Sequence, residues 1–395
     1  MEPQSLRPDS PPPIPQISSI EWLKQNLFSS WFNSILTVVC VWLIYSIASN
    51  FAIWAFTQAD WSVLSANLRL FMVGRYPTAQ YWRIWLTLGL ISLLGGVSWG
   101  VWDRFDRGAS IILAAISISL SILLPVDIGS RLSIVASGAA IFIGFWLGSR
   151  SKSYGGWLVL AWLLAFPVGL WLIGGGLGLP SVEINLWNGL LLTTLLAVSS
   201  IFLSFPLGVL LALGRQSRMP VIKWFSTIYI EVVRGLPLIG ILFIAQVMLP
   251  LMLPTNVRIE RLIRAIAGFV LFASAYLAEN VRGGLQAIPI GQTEAAKAVG
   301  LNTPLTLGLV ILPQALRAVI PSIAGQFISL FKDTALVSVV GLVEIMGVAR
   351  SVLAQPDFIG RYAEVYCFVG AIYWVCSYSM SLISRRIEKS LDLDK

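Results

Sequence analysis

Ten long apolar runs follow one another along this chain, and they constrain its fold more than any other feature. Hydrocarbon offers no water to backbone N–H and C=O groups, so a segment that crosses it must bond its own backbone, as a helix does. The runs lie near 31–57, 82–102, 109–125, 132–148, 155–174, 186–214, 224–249, 262–288, 305–331 and 365–383. Each is long enough as a tilted helix to cover the roughly 30 Å core of a bilayer. A re-entrant or split piece is predicted near 335–349. The fold class is therefore all-α, a polytopic transmembrane helical bundle.

Composition bears on what such a bundle can do. Hydrophobic residues make up 57% and charged residues 12%, a balance outside the soluble range. Histidine is absent, which removes any His-based metal site, triad or proton relay. Cys40, Cys367 and Cys376 sit in apolar stretches without zinc spacing and read as buried thiols. The net charge of +8 is scattered among the spans and not gathered on a face, so nucleic acid is not a partner it suggests. Arg104, Arg107, Arg150, Lys152, Arg215, Arg218, Lys223, Arg385 and Arg386 fall between or after spans in a way that predicts cytoplasmic N- and C-termini. No lysine follows a glycine, so there is no phosphate-cradling Gly-Lys-Ser/Thr loop and ATP chemistry must come from elsewhere.

Residues 1–30, with Pro8, Pro11, Pro12, Pro13 and Pro15, read as a flexible cytoplasmic tail. The first apolar run lacks a small-residue cleavage pattern and should remain as an anchor. Residues 31–180 form an extension rich in Gly, Ser and Trp, with no ionisable chemistry inside its spans. Gly95, Gly96, Gly138 and Gly144 allow close helix packing there, and Trp31, Trp82, Trp102 and Trp157 suit the membrane interfaces.

One polar loop stands out. Pro289 and Gly291 stop the preceding span; Glu294 to Val299 is helix-forming, Gly300 is placed to cap it, and Asn302 or Thr303 with Pro304 restarts the chain as helix. Ala295, Ala298 and Val299 are small enough to admit another surface, and Glu294 and Lys297 offer it charge. This describes a docking knob. Elsewhere in the core, Glu231 and Arg234, and Glu279 and Arg282, are spaced for local ion pairs. With Gln246, Ser274, Tyr276, Asn280, Lys332, Asp333 and Thr334, the residues Glu231, Arg234 and Glu279 are the candidates to line a wet path for a zwitterion, because buried polar groups in a membrane must be paired or face a cavity. Leu236-Pro237, Pro313 and Pro321 are candidate helix breaks, Pro321 the weakest of them.

Glu294-Ala-Ala, three residues, Gly300, nine residues and Val310-Ile-Leu-Pro313 resembles the signature cytoplasmic loop of bacterial ABC importer permeases. Ile230-Glu-Val-Val-Arg-Gly-Leu-Pro237, the run from Ser274 through Glu279-Asn280 to Pro289, Gly291-Gln-Thr-Glu294 and Lys332-Asp-Thr334 are similar to the polar amino acid branch of that family. Val310 replaces a frequent isoleucine, and Ala335 a frequent serine. Length and the long leading segment look most like the general L-amino acid permease subunits. The resemblance covers 181–395, with the loop at 291–313, and implies a five-helix type I importer core behind extra N-terminal spans. It also implies that Glu294, Ala295, Ala296 and Gly300 seat on an ATPase, and that the partners are two ATPase subunits, a second homologous permease in a heterodimer and an extracytoplasmic amino acid binding protein. The chain itself would be no enzyme, would need no cofactor, and would sit in a bacterial inner membrane. An ion-coupled secondary carrier for small zwitterions is the other reading.

Overall fold

The computed structural model describes residues 18–102, 116–119, 121–122, 126–150, 155–254 and 256–392. The chain divides after Trp61 into two compact units. In the first, Ser18 caps helix α1 (Ser19–Asn26) through a reciprocal pair: its Oγ accepts the Glu21 amide at 3.2 Å, and its own N–H donates to the Glu21 carboxylate at 3.4 Å. Part of the stretch expected to be a flexible tail is thus helical, and the proline-rich part lies outside the described residues. Helix α2 (Trp31–Ile53) runs into a π-turn at Trp54–Gln58 and buries no residue in its own unit. Cys40 is accordingly exposed, not buried; a span apolar all round hides from water in lipid and does not need a protein core. Cys367 and Cys376 are half-buried.

The second unit contains α3 (Ser62–Val73), α4 (Tyr81–Trp102), α5 (Ile128–Arg150), α6 (Gly155–Gly174), α7 (Gly189–Arg215), α8 (Pro220–Gly235), α9 (Leu238–Phe243), α10 (Arg261–Ala287), α11 (Ile290–Ala298), α12 (Leu312–Asp333), α13 (Ile345–Leu353) and α14 (Tyr362–Asp392). Among the described residues eight helices, α2 included, are long and apolar enough to cross a membrane, and a ninth crossing is a broken pair. The predicted span at 109–125 lies largely outside the described residues. The run at 224–249 breaks where Leu236-Pro237 predicts, into α8 and the segment Leu238–Met252, bent by 102°. Pro237 has no N–H to continue the ladder, and Leu236 before it is pushed to extended backbone. Pro321 lies inside α12 without a break, and Pro313 sits in its first turn after a π-turn at Thr306–Ile311.

Glycine governs how closely these helices approach. A side chain at Gly96 or Gly100 of α4 would meet backbone oxygens of Ile141 or Phe145 at 2.2 and 2.3 Å, and one at Gly144 or Gly148 of α5 would meet those of Leu93 or Val97 at 2.3 Å. The two helices therefore touch backbone to backbone along two small-xxx-small motifs. Gly95, expected to share this role, faces open space.

Helix α3 was not anticipated. Its buried face, Val63 and Phe71, packs with Ile345, Val348 and Val352 of α13 and Val365 and Val369 of α14. Two further clusters fill the rest of the unit, one around Leu196, Leu242, Phe269 and Leu330, the other around Leu211, Ile230, Leu277 and Ala315. The extension, expected to hold no ionisable chemistry inside its spans, does contain some: Arg83 in the first turn of α4 has 0% exposure and donates to the Pro180 carbonyl at 2.8 Å.

Gly144→Leu should force α4 and α5 apart and lower stability by about 1–3 kcal/mol, the usual range for overpacking. Gly95→Ala should leave it unchanged or slightly raised. Thermal unfolding of the two purified variants in one detergent checks the contrast.

Candidate functional site

Helix α11 and its flanks form the knob expected from the loop. Pro289 precedes the helix, and Gly300 ends it with φ +84°, a left-handed conformation that glycine adopts without penalty. The Gly300 N–H donates to Lys297 O at 2.9 Å and the Leu301 N–H to Ala296 O at 3.1 Å, so the last turn is closed by a glycine cap. Asn302 Oδ1 then accepts the Leu305 N–H at 3.1 Å and opens the next helical stretch. Ala296 alone in the knob is buried, at 4%, and pins it to the unit. Glu294, Ala295, Lys297, Ala298, Val299 and Gly300 are exposed, Val299 at 77%. A Cβ on Gly300 would meet nothing within 4 Å, so that position is open to an approaching surface.

The charged residues come from three helices and meet at Glu279. Arg282 grips its carboxylate through two nitrogens, Nε at 3.0 Å and Nη2 on the other oxygen, and donates from Nη1 to Gln286 at 2.6 Å. Arg215, the last residue of α7, adds a contact of 3.4 Å, and Arg234 of α8 one of 3.6 Å. The local pair expected between Glu231 and Arg234 is not made: Glu231 bonds Arg215 at 2.7 Å instead. The Arg234 guanidinium is drawn away, lying 5.5 Å from the centre of the Tyr276 ring. Arg215 had been read only as a topological charge; its partners are 16 and 64 residues distant, beyond any local spacing rule. Three arginines face two glutamates, which leaves one positive charge unbalanced.

The remaining candidates are divided. Ser274 is fully buried and bonds Leu271 O at 3.0 Å and the Tyr229 hydroxyl at 3.0 Å, a packing role between α8 and α10. Gln246, also buried, donates to Arg261 O at 2.6 Å while its own carbonyl accepts from Arg264 at 2.7 Å; it ties a π-turn to the start of α10 and is not part of the Glu279 cluster. Asn280 is half-buried beside Glu279, Lys332 is exposed and Asp333 half-buried. Thr334 is buried, donates to Phe331 O at 2.6 Å, and stands 3.4 Å from the Tyr373 hydroxyl.

That hydroxyl leads to a residue the sequence reading passed over. Glu344, with 0% exposure, caps α13: its carboxylate accepts the Met346 and Gly347 amides at 2.8 and 2.9 Å and the Tyr373 hydroxyl at 3.2 Å. Thr193 of α7 accepts the next amide, Ile345 N–H, at 3.2 Å. A carboxylate at the start of a helix complements its dipole, which is local, whereas its burial depends on α7 and α14, distant in sequence.

Glu344→Ala should cost about 1–3 kcal/mol, because buried donors lose their acceptor. Thermal unfolding of Glu344→Ala beside wild type in one detergent checks this. Glu279→Gln should lower the midpoint by the equivalent of about 1–3 kcal/mol, a buried-pair loss discounted for its partial exposure. Glu231→Gln, at a carboxylate 57% exposed, should move the midpoint by less than half as much.

Comparison with known proteins places these features in a family. The model described as binding-protein-dependent transport system inner membrane component matches residues 204–393. The inner membrane amino-acid ABC transporter permease protein YhdY of Escherichia coli K12 is 38% identical over 385 residues, covering 93% of this chain and 92% of that protein. The glutamate/glutamine/aspartate/asparagine transport system permease protein BztC of Rhodobacter capsulatus is 34% identical over 97% of this chain and 96% of its own length. The probable glutamine ABC transporter permease protein GlnP of Bacillus subtilis is 36% identical over 51% of this chain and 92% of its own. An all-helical, multiply spanning chain that carries this exposed knob and aligns with YhdY and BztC nearly end to end belongs to the inner membrane components of binding-protein-dependent transport systems, the ABC transporter permeases.

Proposed function

We propose that this chain is the membrane-spanning permease subunit of an ATP-driven importer that moves amino acids, polar or of broad range, into the cytoplasm. The observation that carries the reading is the exposed, glycine-capped knob at Ile290–Ala298 between two spans, in a chain similar over its length to amino-acid permeases. Residues 181–395 serve as the permease core and 31–180 as an N-terminal extension, with both termini in the cytoplasm. Glu294, Ala295 and Gly300 seat the knob in a cleft of an ATPase subunit, while Ala296, expected there too, is buried and holds the knob to the permease core. ATP is hydrolysed by that subunit and not by this chain, which has no Gly-Lys pair to hold phosphate.

The partners are two ATPase subunits, a second homologous permease in a heterodimer and an extracytoplasmic binding protein. On this reading Glu231, Arg234, Tyr276, Glu279 and Asn280, with Lys332 and Asp333, line the path, and Gln246, Ser274 and Thr334 hold the helices that present it. A lining with both charge signs suits a substrate that carries a carboxylate and an ammonium. The excess of arginine over glutamate in the Glu279 cluster favours the carboxylate end.

ATP-dependent uptake of labelled amino acids into vesicles that hold this chain with its partners tests the reading. Gly300→Asp and Glu294→Lys should each abolish uptake while the protein stays in the membrane, the first through a left-handed backbone strained by about 1–2 kcal/mol as well as through bulk. Uptake that persists without ATP and follows an ion gradient would establish the secondary-carrier reading in its place.

A further inference from the structure

The turn after α3 gathers cations that nothing in the transport reading uses. Ala66, Arg69 and Leu70 of α3, with Gly74 and Arg75 beyond it, line an open recess of about 340 Å³. Among the described residues neither Arg69 nor Arg75 is in an ion pair. The walls are fixed. Gly74, at φ +60°, would clash with Asn188 if it carried a Cβ, the contact being 2.3 Å, and the Tyr76 hydroxyl donates to Ile173 O at 2.8 Å.

A third guanidinium is linked to this recess through aromatic rings. Arg69 lies 5.5 Å from the centre of the Tyr81 ring, Tyr81 stacks on Tyr76 at 6.4 Å, and Arg83 follows Tyr81 by two residues in the first turn of α4. Arg83 is wholly buried, and among the described residues its Nε and Nη2 have no hydrogen-bond partner, nor has the Tyr81 hydroxyl. A buried guanidinium without a counter-charge raises the positive potential around it, because the low dielectric does not screen it. Trp82, next after the Tyr81 ring that Arg69 overlies, and Leu86 one turn on are uncovered, at 49% and 51%, so apolar surface follows directly on that ring.

We infer that the recess lined by Arg69 and Arg75 binds an anionic phosphate group, with the headgroup of an acidic phospholipid as the form that the neighbouring apolar surface favours. Two guanidinium forks match phosphate oxygens in geometry as well as charge. The acyl chains of such a lipid would lie along the exposed Trp82 and Leu86.

The test uses the purified full chain in a neutral detergent, with phosphatidylglycerol, phosphatidylcholine and inorganic phosphate as probes and bound molecules counted by native mass spectrometry. Phosphatidylglycerol should bind more tightly than phosphatidylcholine, and Arg69→Gln/Arg75→Gln should weaken its binding about thirtyfold, the equivalent of about 1 kcal/mol for each arginine. A double change at exposed arginines elsewhere, Arg131→Gln/Arg258→Gln, should leave it within a factor of two. Where the first double variant does not elute as a folded species, Arg75→Gln alone, outside any helix, should still weaken binding about fivefold. Competition by millimolar inorganic phosphate would identify a phosphate site open to soluble ions, and failure to compete would identify the lipid. Equal binding of the two lipids, or loss in the control variant as large as in the arginine variants, would overturn the inference. None of these results depends on uptake, so the transport reading and this one fail separately.

Discussion

Everything in this chain follows from the cost of an unpaired backbone group in hydrocarbon, several kcal/mol for each N–H or C=O left without a partner. Most of the chain meets it with unbroken helix. Where the helix stops inside the membrane-spanning part, polar side chains take over the missing bonds. After the break at Leu236-Pro237, the π-turn at Ile244–Met248 is fastened by Gln246, which exchanges bonds with Arg261 and Arg264 at the start of α10. Between α12 and α13, a 3₁₀ turn and the left-handed Gly341 leave amides that the Glu344 carboxylate and the Thr193 hydroxyl receive. The buried polar residues that looked like path candidates in the sequence are in part this repair work.

The charges that are not repairing backbone collect around Glu279. Its helix, α10, runs on to Ala287, and only Ile288 and Pro289 separate it from α11. A force applied at the exposed knob thus reaches the Glu279 cluster through two turns of one helix, and arrives where the ends of α7 and α8 are joined to it by Arg215 and Arg234. Close helix contacts keep that joint stiff: a Cβ at Gly208 would meet Leu277 at 2.6 Å, and one at Gly284 the Ala315 carbonyl at 2.5 Å. Cores packed to this density pass displacement on instead of absorbing it.

Features that depend on neighbours in the chain were readable from the residues alone. The spans, the cap at Gly300, the restart at Asn302, the break at Pro237 and the contact glycines Gly96 and Gly144 are all local, because helix length, φ and side-chain size are properties of a short stretch. Even so, Gly95 and Gly96 are adjacent and alike in sequence, and only one of them faces α5. The side of a uniformly apolar helix that meets a partner has no amphipathic stripe to mark it.

What tertiary structure decided is who pairs with whom. Glu231 and Arg234 satisfy the local spacing rule and ignore it, because Arg215 and Glu279, distant in sequence, offer better partners in space. Helix α3 was too short to register as a span, yet it fills the wedge between α13 and α14. Glu344 and Arg83, charged residues next to apolar runs, are wholly buried. Span placement is set by the bilayer and acts on each segment separately, so sequence suffices for it; burial and ion pairing are set by which helices meet, and that is known only once the chain has folded.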